Sequence, residues 1–246
     1  NLKKINIVSN NSTCEDAVNF INVSGEVDKI LIDESFSDGL DVDFSKLNFK
    51  EIKITSARND CADFSAGNYK LGNLKLNYCG DKGLSIGEKS LINLNEILVE
   101  NANIGIATKD SSILKLNIAK FNNLKTCVAA YNKKQEFEGG LIKMRNMNCN
   151  NYFIKADADH FSKIFLKDIL LKNYEYGKKY NPNELKISQV QGKEIVKNLT
   201  TENETFNDKN TFNAVVEISS GMKEKWVVSS QSDSLIREFY MGLPRE

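Results

Sequence analysis

The sequence predicts an all-β fold in which short parallel strands wind into a solenoid. Three apolar series recur with one common period of 22 residues. Because each unit is too short to close its own core, each must cover the apolar side of the next. The series are Leu40, Ala62, Leu84, Ile106 and Val128; Ile32, Ile54, Leu76 and Leu98; and Leu47, Tyr69, Leu91 and Ile113.

The pattern within each unit identifies the strands. Apolar and polar residues alternate in Leu74-Lys75-Leu76-Asn77, which is strand periodicity, whereas helical repeats need roughly 33 residues or more. Asn73, Asn95 and Asn117 share the same spacing and predict a ladder of stacked asparagines. Leucine-rich repeats have a similar length, but their consensus is not sustained. We therefore expect a right-handed parallel β-helix with rungs of about 22 residues.

The chain divides into three regions. Residues 1–171 are predicted to form an N-terminal cap and the β-helix, with a strand at 3–9, a short capping helix at 15–21 and a loop at 132–140. Residues 172–211 are polar and are interpreted as an exit segment and linker. Residues 212–246 begin with a new hydrophobic run and predict a short antiparallel β segment.

Composition excludes several classes of function. Lysine plus arginine equals aspartate plus glutamate, 33 each, so no net field predicts a nucleic-acid partner. No apolar run approaches the ~20 residues that span a bilayer.

Of five cysteines, Cys61 and Cys127 fall on inward positions and are interpreted as small buried hydrophobes. The chain begins with Asn1, which suggests a processed product or an excised piece and leaves its compartment unpredicted.

The rungs resemble the right-handed β-helix repeats of bacterial envelope and secreted proteins. The residues that carry this resemblance are 80–88, 105–112 and 130–134. Those families include polysaccharide lyases, polygalacturonases and surface proteins. The resemblance implies a polysaccharide partner or self-association through the solenoid, and it favours an envelope or secreted location.

The C-terminal region resembles a different family. Phe212-Asn213-Ala214-Val215-Val216-Glu217-Ile218, followed by Gly221 and the pair Lys225-Trp226, is similar to the start of the soluble (family I) inorganic pyrophosphatases. By that resemblance Glu217 would bind Mg²⁺, and Lys225 and Arg245 would hold phosphate oxygens of pyrophosphate. The family's later metal-binding aspartates do not occur before Glu246, so we expect this chain alone to be inactive.

An alternative site lies at one corner of the predicted β-helix, at Asp38, Asp41, Asp60, Asp63 and Asp81. Asp41 and Asp63, one period apart, could form a Ca²⁺ site or an acid–base pair for glycoside hydrolysis. Turn capping by aspartate is the simpler interpretation and is favoured. Lys109, Lys133 and Lys134 on successive rungs could bind an acidic sugar or supply a base for elimination.

Three functions follow as expectations. The first is a non-catalytic β-helix scaffold or glycan-binding module, attached to the start of a Mg²⁺-dependent diphosphatase. The second is a polysaccharide-active β-helix enzyme, either a lyase or a hydrolase. The third is a self-assembling structural surface protein, because uncapped solenoid edges stack readily.

Overall fold

A computed structural model describes residues 1–8 and 14–171, together with the backbone of 214–216 and 226–228. The regular elements of the described residues are all β-strands. The strands are β1 (Leu2–Ile7), β2 (Asp16–Ile21), β3 (Ser24–Ile32), β4 (Asp38–Asp43), β5 (Lys46–Ile54), β6 (Ala62–Ser65), β7 (Asn68–Gly87), β8 (Leu91–Lys109), β9 (Ile113–Tyr131), β10 (Leu141–Ala158), β11 (Lys163–Leu166), β12 (Ile169–Leu170), β13 (Ala214–Val216) and β14 (Trp226–Val228).

Twelve of these strands form one sheet that winds into a β-solenoid of about seven turns. The long side has the order β1-β3-β5-β7-β8-β9-β10-β11, and these strands pair in parallel. The second side begins with β2, β4 and β6 and continues in the C-terminal halves of β7 to β10. The predicted all-β parallel solenoid with turns of about 22 residues is confirmed.

Inward side chains stack from rung to rung. Ile30, Ile52, Leu74 and Ile97 occupy one column of the long side and are fully buried. Each such side chain contributes about 1.5–3 kcal/mol when it is buried. In the early rungs the Phe64 ring packs edge-on against Phe49 and Tyr69, with centroids 5.8 and 4.9 Å away. The core is therefore a continuous apolar rod, as the repeat predicts.

The 22-residue step becomes 25 between β1 and β3 and 28 between β9 and β10, and it also fails between β7 and β8. Here Tyr69 pairs with Ile92 and Leu76 pairs with Val99, a step of 23 residues. The turn before β8 holds one more residue than the preceding turn, and a register shift between Cys79 and Lys82 restores the 22-residue step on the second side. The predictions that Leu91, Leu98 and Ile113 belong to the inward series are therefore wrong. Leu91 is 44% exposed, whereas Ile92 and Val99 are buried.

The predicted N-terminal capping helix is also wrong. Residues Asp16–Ile21 form β2, which pairs in parallel with β4 and places Val18 opposite Leu40. Val18 thus extends the first apolar series back by one period, and pairing with β4 outweighs the local helical pattern. The solenoid begins with β1 and β2, before the predicted first rung at Ile30.

The turns carry repeated polar residues. The Asn95 amide donates to Asn73 Oδ1 at 3.5 Å and the Asn117 amide donates to Asn95 Oδ1 at 3.2 Å, which confirms the predicted ladder. A second ladder joins Asn101 to Asn77 and Asn123 to Asn101, both at 2.8 Å. The predicted loop at 132–140 separates β9 from β10.

Four of the five cysteines form disulfides, Cys61–Cys79 and Cys127–Cys149. Cys61 and Cys127 are fully buried, as predicted, whereas their disulfides were not predicted. The solenoid brings Cys61 close to Cys79, and their Cα atoms are 5.2 Å apart. Disulfides of this kind are typical of proteins that fold in oxidising compartments.

Beyond β12, the described backbone consists of the antiparallel pair of β13 and β14, in which Val216 lies opposite Trp226. This pair agrees with the predicted antiparallel segment after residue 212. The predicted linker lies outside the described residues. None of the described residues forms a helix long and apolar enough to cross a membrane.

Candidate functional site

The aspartates of the predicted corner site divide into two groups. Asp38 and Asp60 are turn caps: Asp38 Oδ1 accepts hydrogen bonds from the Asp60 amide at 2.9 Å and from the Asn59 side chain at 2.7 Å. Asp60 Oδ1 accepts the Lys82 amide at 3.0 Å. Each carboxylate thus satisfies a backbone donor on the next rung, which is the role of aspartate in turns.

Asp60 also takes part in an ion pair. The ammonium of Lys82 lies 3.3 Å from Asp60 Oδ1 and contacts Asp81 as well. Burial raises the pKa of Asp60 to about 6, although Lys82 opposes this change. Burial alone would lower the pKa of Lys82, but Asp60 and Asp81 raise it above its usual value. Asp60, Asp81 and Lys82 therefore hold two rungs together.

Asp41 and Asp63 form the second group. They lie opposite each other in the register of β4 and β6, as predicted. Burial, followed by the nearby carboxylates of Asp43, Asp16 and Asp63, raises the pKa of Asp41 to about 7. Asp63 Oδ1 is buried without a hydrogen-bond partner. The pair forms an acidic surface on which the pKa of Asp41 lies near neutral pH.

This acidic surface does not have the geometry of a metal site. Among the described residues, no three His, Cys, Asp or Glu side chains converge as potential ligands of one ion. Calcium normally takes six to eight oxygen ligands, with several carboxylates aimed at one point. The Ca²⁺ expectation thus gains no support from the arrangement of the described carboxylates.

The three predicted lysines lie around the loop at 132–140. Lys109 is buried and donates a hydrogen bond of 2.7 Å to Ser85 Oγ. The backbone amides of Lys133 and Lys134 both donate to Asp110 Oδ1, and the Lys134 ammonium contacts Glu88. Lys109 and Lys134 therefore have partners within the fold, and the loop is anchored over this end of the second side.

A further candidate surface lies on the long side of the solenoid. Its outer face carries a groove of about 570 Å³ that extends from β7 to β11. The groove has five exposed cations, three asparagines and one carboxylate. These side chains are Lys70, Lys115, Lys143, Arg145, Lys167, Asn93, Asn95, Asn117 and Asp168.

Strand register arranges these groups in two rows. Lys70, Asn93, Lys115 and Lys143 are paired consecutively across β7, β8, β9 and β10. The second row lies two residues further along the strands, where Asn95 and Asn117 are joined by their amide ladder. Neighbouring strands are about 4.8 Å apart, so each row presents one polar group per strand spacing.

Sequence reasoning missed the groove because its residues are the polar partners in an alternating pattern. The 22-residue repeat is defined by its apolar positions, and the polar positions of such strands usually face solvent without a further role. The loop at 132–140 also places Lys143 28 residues after Lys115, although the two are neighbours in the sheet. Aligning the strand sequences with the loop at 132–140 removed would have shown that lysine or asparagine recurs at equivalent outward positions, which form the first row.

Of the residues predicted by resemblance, Glu217, Lys225 and Arg245 all lie outside the described residues. Comparison of the chain with protein-family models, curated proteins and solved structures finds no match in any of the three.

Proposed function

We propose that the solenoid is a non-catalytic binding module that holds an extended glycan along the outer face of its long side. The groove supports this proposal, because a lysine or an asparagine occupies the first row on each of β7, β8, β9 and β10. Four strand spacings cover roughly 19 Å, which is long enough for several sugar units. A regular row of side chains suits a ligand that is itself a regular polymer.

The scaffold suits binding of this kind. Apart from Lys167 and Asp168 in the turn after β11, the polar groove residues project from parallel strands whose opposite faces are packed in the apolar rod, so their backbone positions are fixed before a ligand arrives. Preorganised sites lose less entropy on binding than mobile loops do. Asparagine side chains can both donate and accept hydrogen bonds, which matches the hydroxyl groups of sugars.

The lining of the groove favours binding over hydrolysis. Glycosidases generally use a pair of carboxyl groups that flank the bond to be broken, whereas Asp168 is the one carboxylate among the described lining residues. The two disulfides agree with a protein that acts in an oxidising compartment, where polysaccharides are displayed.

A specific observation favours a second candidate, a polysaccharide-active enzyme that uses the second side. Asp41, with its pKa near 7, lies opposite Asp63, and an acid–base pair requires two such carboxyl groups in different protonation states. Release of reducing ends from a polysaccharide by the wild-type chain, abolished in Asp41→Asn, would support this candidate.

The C-terminal region carries a separate part of the proposal. We propose that residues 212–246 are the start of a diphosphatase domain that continues in a longer parent protein. In that domain Glu217 would bind Mg²⁺, and Lys225 and Arg245 would bind pyrophosphate. The test is phosphate release from pyrophosphate with Mg²⁺, measured for this chain and for a parent extended past Glu246. Inactivity of both proteins would reject this part of the proposal.

Glycan binding is tested by blocking the groove. Asn93 is exposed at the centre of the first row, so Asn93→Trp would fill the groove without disturbing the core. Asn150→Trp is the matched control, because Asn150 is also an exposed asparagine on a long strand but does not line the groove. Binding to an array of neutral and acidic glycans should be lost in the first variant only. Equal binding by both variants would exclude the groove.

A further inference from the structure

The charge of the groove identifies the class of glycan. We infer that the groove binds an acidic polysaccharide, one whose sugar units carry carboxylate or sulfate groups, and this inference rests on the proposed function. Five cations face one carboxylate in the lining, although the chain as a whole has no net charge. Positive charge is thus concentrated on one outer face.

Ion pairs do not account for these cations. Elsewhere on the long side, Lys29 pairs with Glu51, Lys50 with Asp28 and Lys120 with Glu96. By contrast, the five groove cations form no ion pair within the described part of the chain. All five are exposed.

The arrangement of the cations also has a cost in the absence of a ligand. Lys115 and Lys143 are directly paired across β9 and β10, and like charges in such positions are destabilising. A bound anion would remove this repulsion and form charge-assisted hydrogen bonds with both ammonium groups. Arg145, two residues beyond Lys143, adds a planar donor that suits a carboxylate or sulfate.

The mixture of cations and an amide in the first row favours an acidic glycan over other polyanions. Asn93 separates Lys70 from Lys115, so the first row offers a cation, an amide and two further cations in sequence. Sugars that bear both acid groups and hydroxyls match such a row. Single-stranded nucleic acids are usually held by aromatic side chains that stack on the bases, and no aromatic residue lines the groove in the described region.

The experiment measures affinity for a linear uronic-acid oligosaccharide, a neutral glucan of equal length and a single-stranded oligonucleotide of equal charge. The test variant is Lys115→Glu with Lys143→Glu. Its control is Lys3→Glu with Lys125→Glu, which alters the net charge equally at exposed lysines outside the groove. Melting curves establish that both variants are folded. A third variant, Lys115→Arg with Lys143→Arg, keeps the positive charge.

We expect the wild-type chain to bind the uronic-acid oligosaccharide most tightly. We expect this affinity to fall as the salt concentration is raised. The test variant should lose about tenfold or more in affinity, since each lost interaction involves a charged group. The control and the arginine variant should retain binding.

Three other outcomes would each contradict the inference. Binding of the neutral glucan that is insensitive to salt and to charge reversal would overturn the acidic ligand but keep the proposed glycan function. Binding of the oligonucleotide as tight as that of the uronic-acid oligosaccharide would overturn the glycan assignment. Failure to bind either glycan would overturn both the inference and the function.

Discussion

Asp41 of β4 lies opposite Asp63 of β6, so two carboxyl groups share one small area of the second side. Burial and the neighbouring acids raise the pKa of Asp41 to about 7 and that of Asp16 to about 6. The folded state therefore holds protons that the unfolded chain, with aspartate pKa values near 3.8, releases. A group of this kind stabilises the fold at low pH, and the contribution is lost as pH rises through its folded pKa.

The first prediction concerns this pH dependence. The melting temperature should fall as pH rises from about 5 to about 8. Asp41→Asn should flatten that slope and be more stable than the wild type at pH 8, because a neutral amide replaces a charge held near other carboxylates. Asp157→Asn, in the same column on β10, is the control and should leave the slope unchanged. A wild-type melting temperature that rises over this range would contradict the account.

The second prediction concerns the cross-strand pair of Lys115 and Lys143. Lys143→Gln should raise the free energy of unfolding of the unliganded chain by roughly 0.2–1 kcal/mol, since it removes a like-charge repulsion. The same variant should bind acidic glycan more weakly. Urea unfolding measures the first effect, and Lys125→Gln, an exposed lysine outside the groove, is its control. A Lys143→Gln variant that is both less stable and unaltered in binding would contradict a ligand-binding role.

Particular residues show which parts of this structure the sequence could predict. The column through Leu40, Ala62 and Leu84 was predictable because burial repeats strictly along it. The positions of Leu91 and Leu98 were not, since one added residue in a turn shifts the strand to its opposite face.

Long-range relationships were the least predictable. The pairing of Cys61 with Cys79, which are 18 residues apart, does not follow from the 22-residue period. The neighbours of Lys143 are hidden by the loop at 132–140. Asp41 and Asp63, by contrast, are separated by one period, and their apposition followed from the sequence alone. Local periodicity thus predicts which residues form the rungs, whereas the groove is recognisable only when the pairing register of the strands is known.

The third prediction concerns the disulfides. Without reductant, the denatured chain should show one reactive thiol, Cys14, which is outside both disulfides, and five after reduction. Reduction should lower the melting temperature, because each disulfide closes a loop of 18 or 22 residues and contributes about 3 kcal/mol. Cys14→Ser should retain the wild-type melting temperature. A thiol count of five before reduction would show that the disulfides do not form.

The fourth prediction concerns the turn at Tyr78. Tyr78 has a φ of 47°, in the left-handed region, while the corresponding turns of the next rungs hold Asn101 and Asn123. Because asparagine tolerates this conformation better, Tyr78→Asn should stabilise the chain by roughly 1 kcal/mol. Asn101→Ala should destabilise it, since the amide ladder is broken. Chemical unfolding measures both, and a less stable Tyr78→Asn variant would contradict the explanation.

The most direct measurement is a nuclear magnetic resonance titration of the labelled chain with a linear uronic-acid oligosaccharide. The account predicts that chemical-shift changes concentrate along the groove, at Lys70, Asn93, Lys115 and Lys143, and that Asp41 and Asp63 on the second side are unaffected. Changes centred on Asp41 and Asp63, or no changes at saturating oligosaccharide, would contradict the assignment of the groove as the binding site.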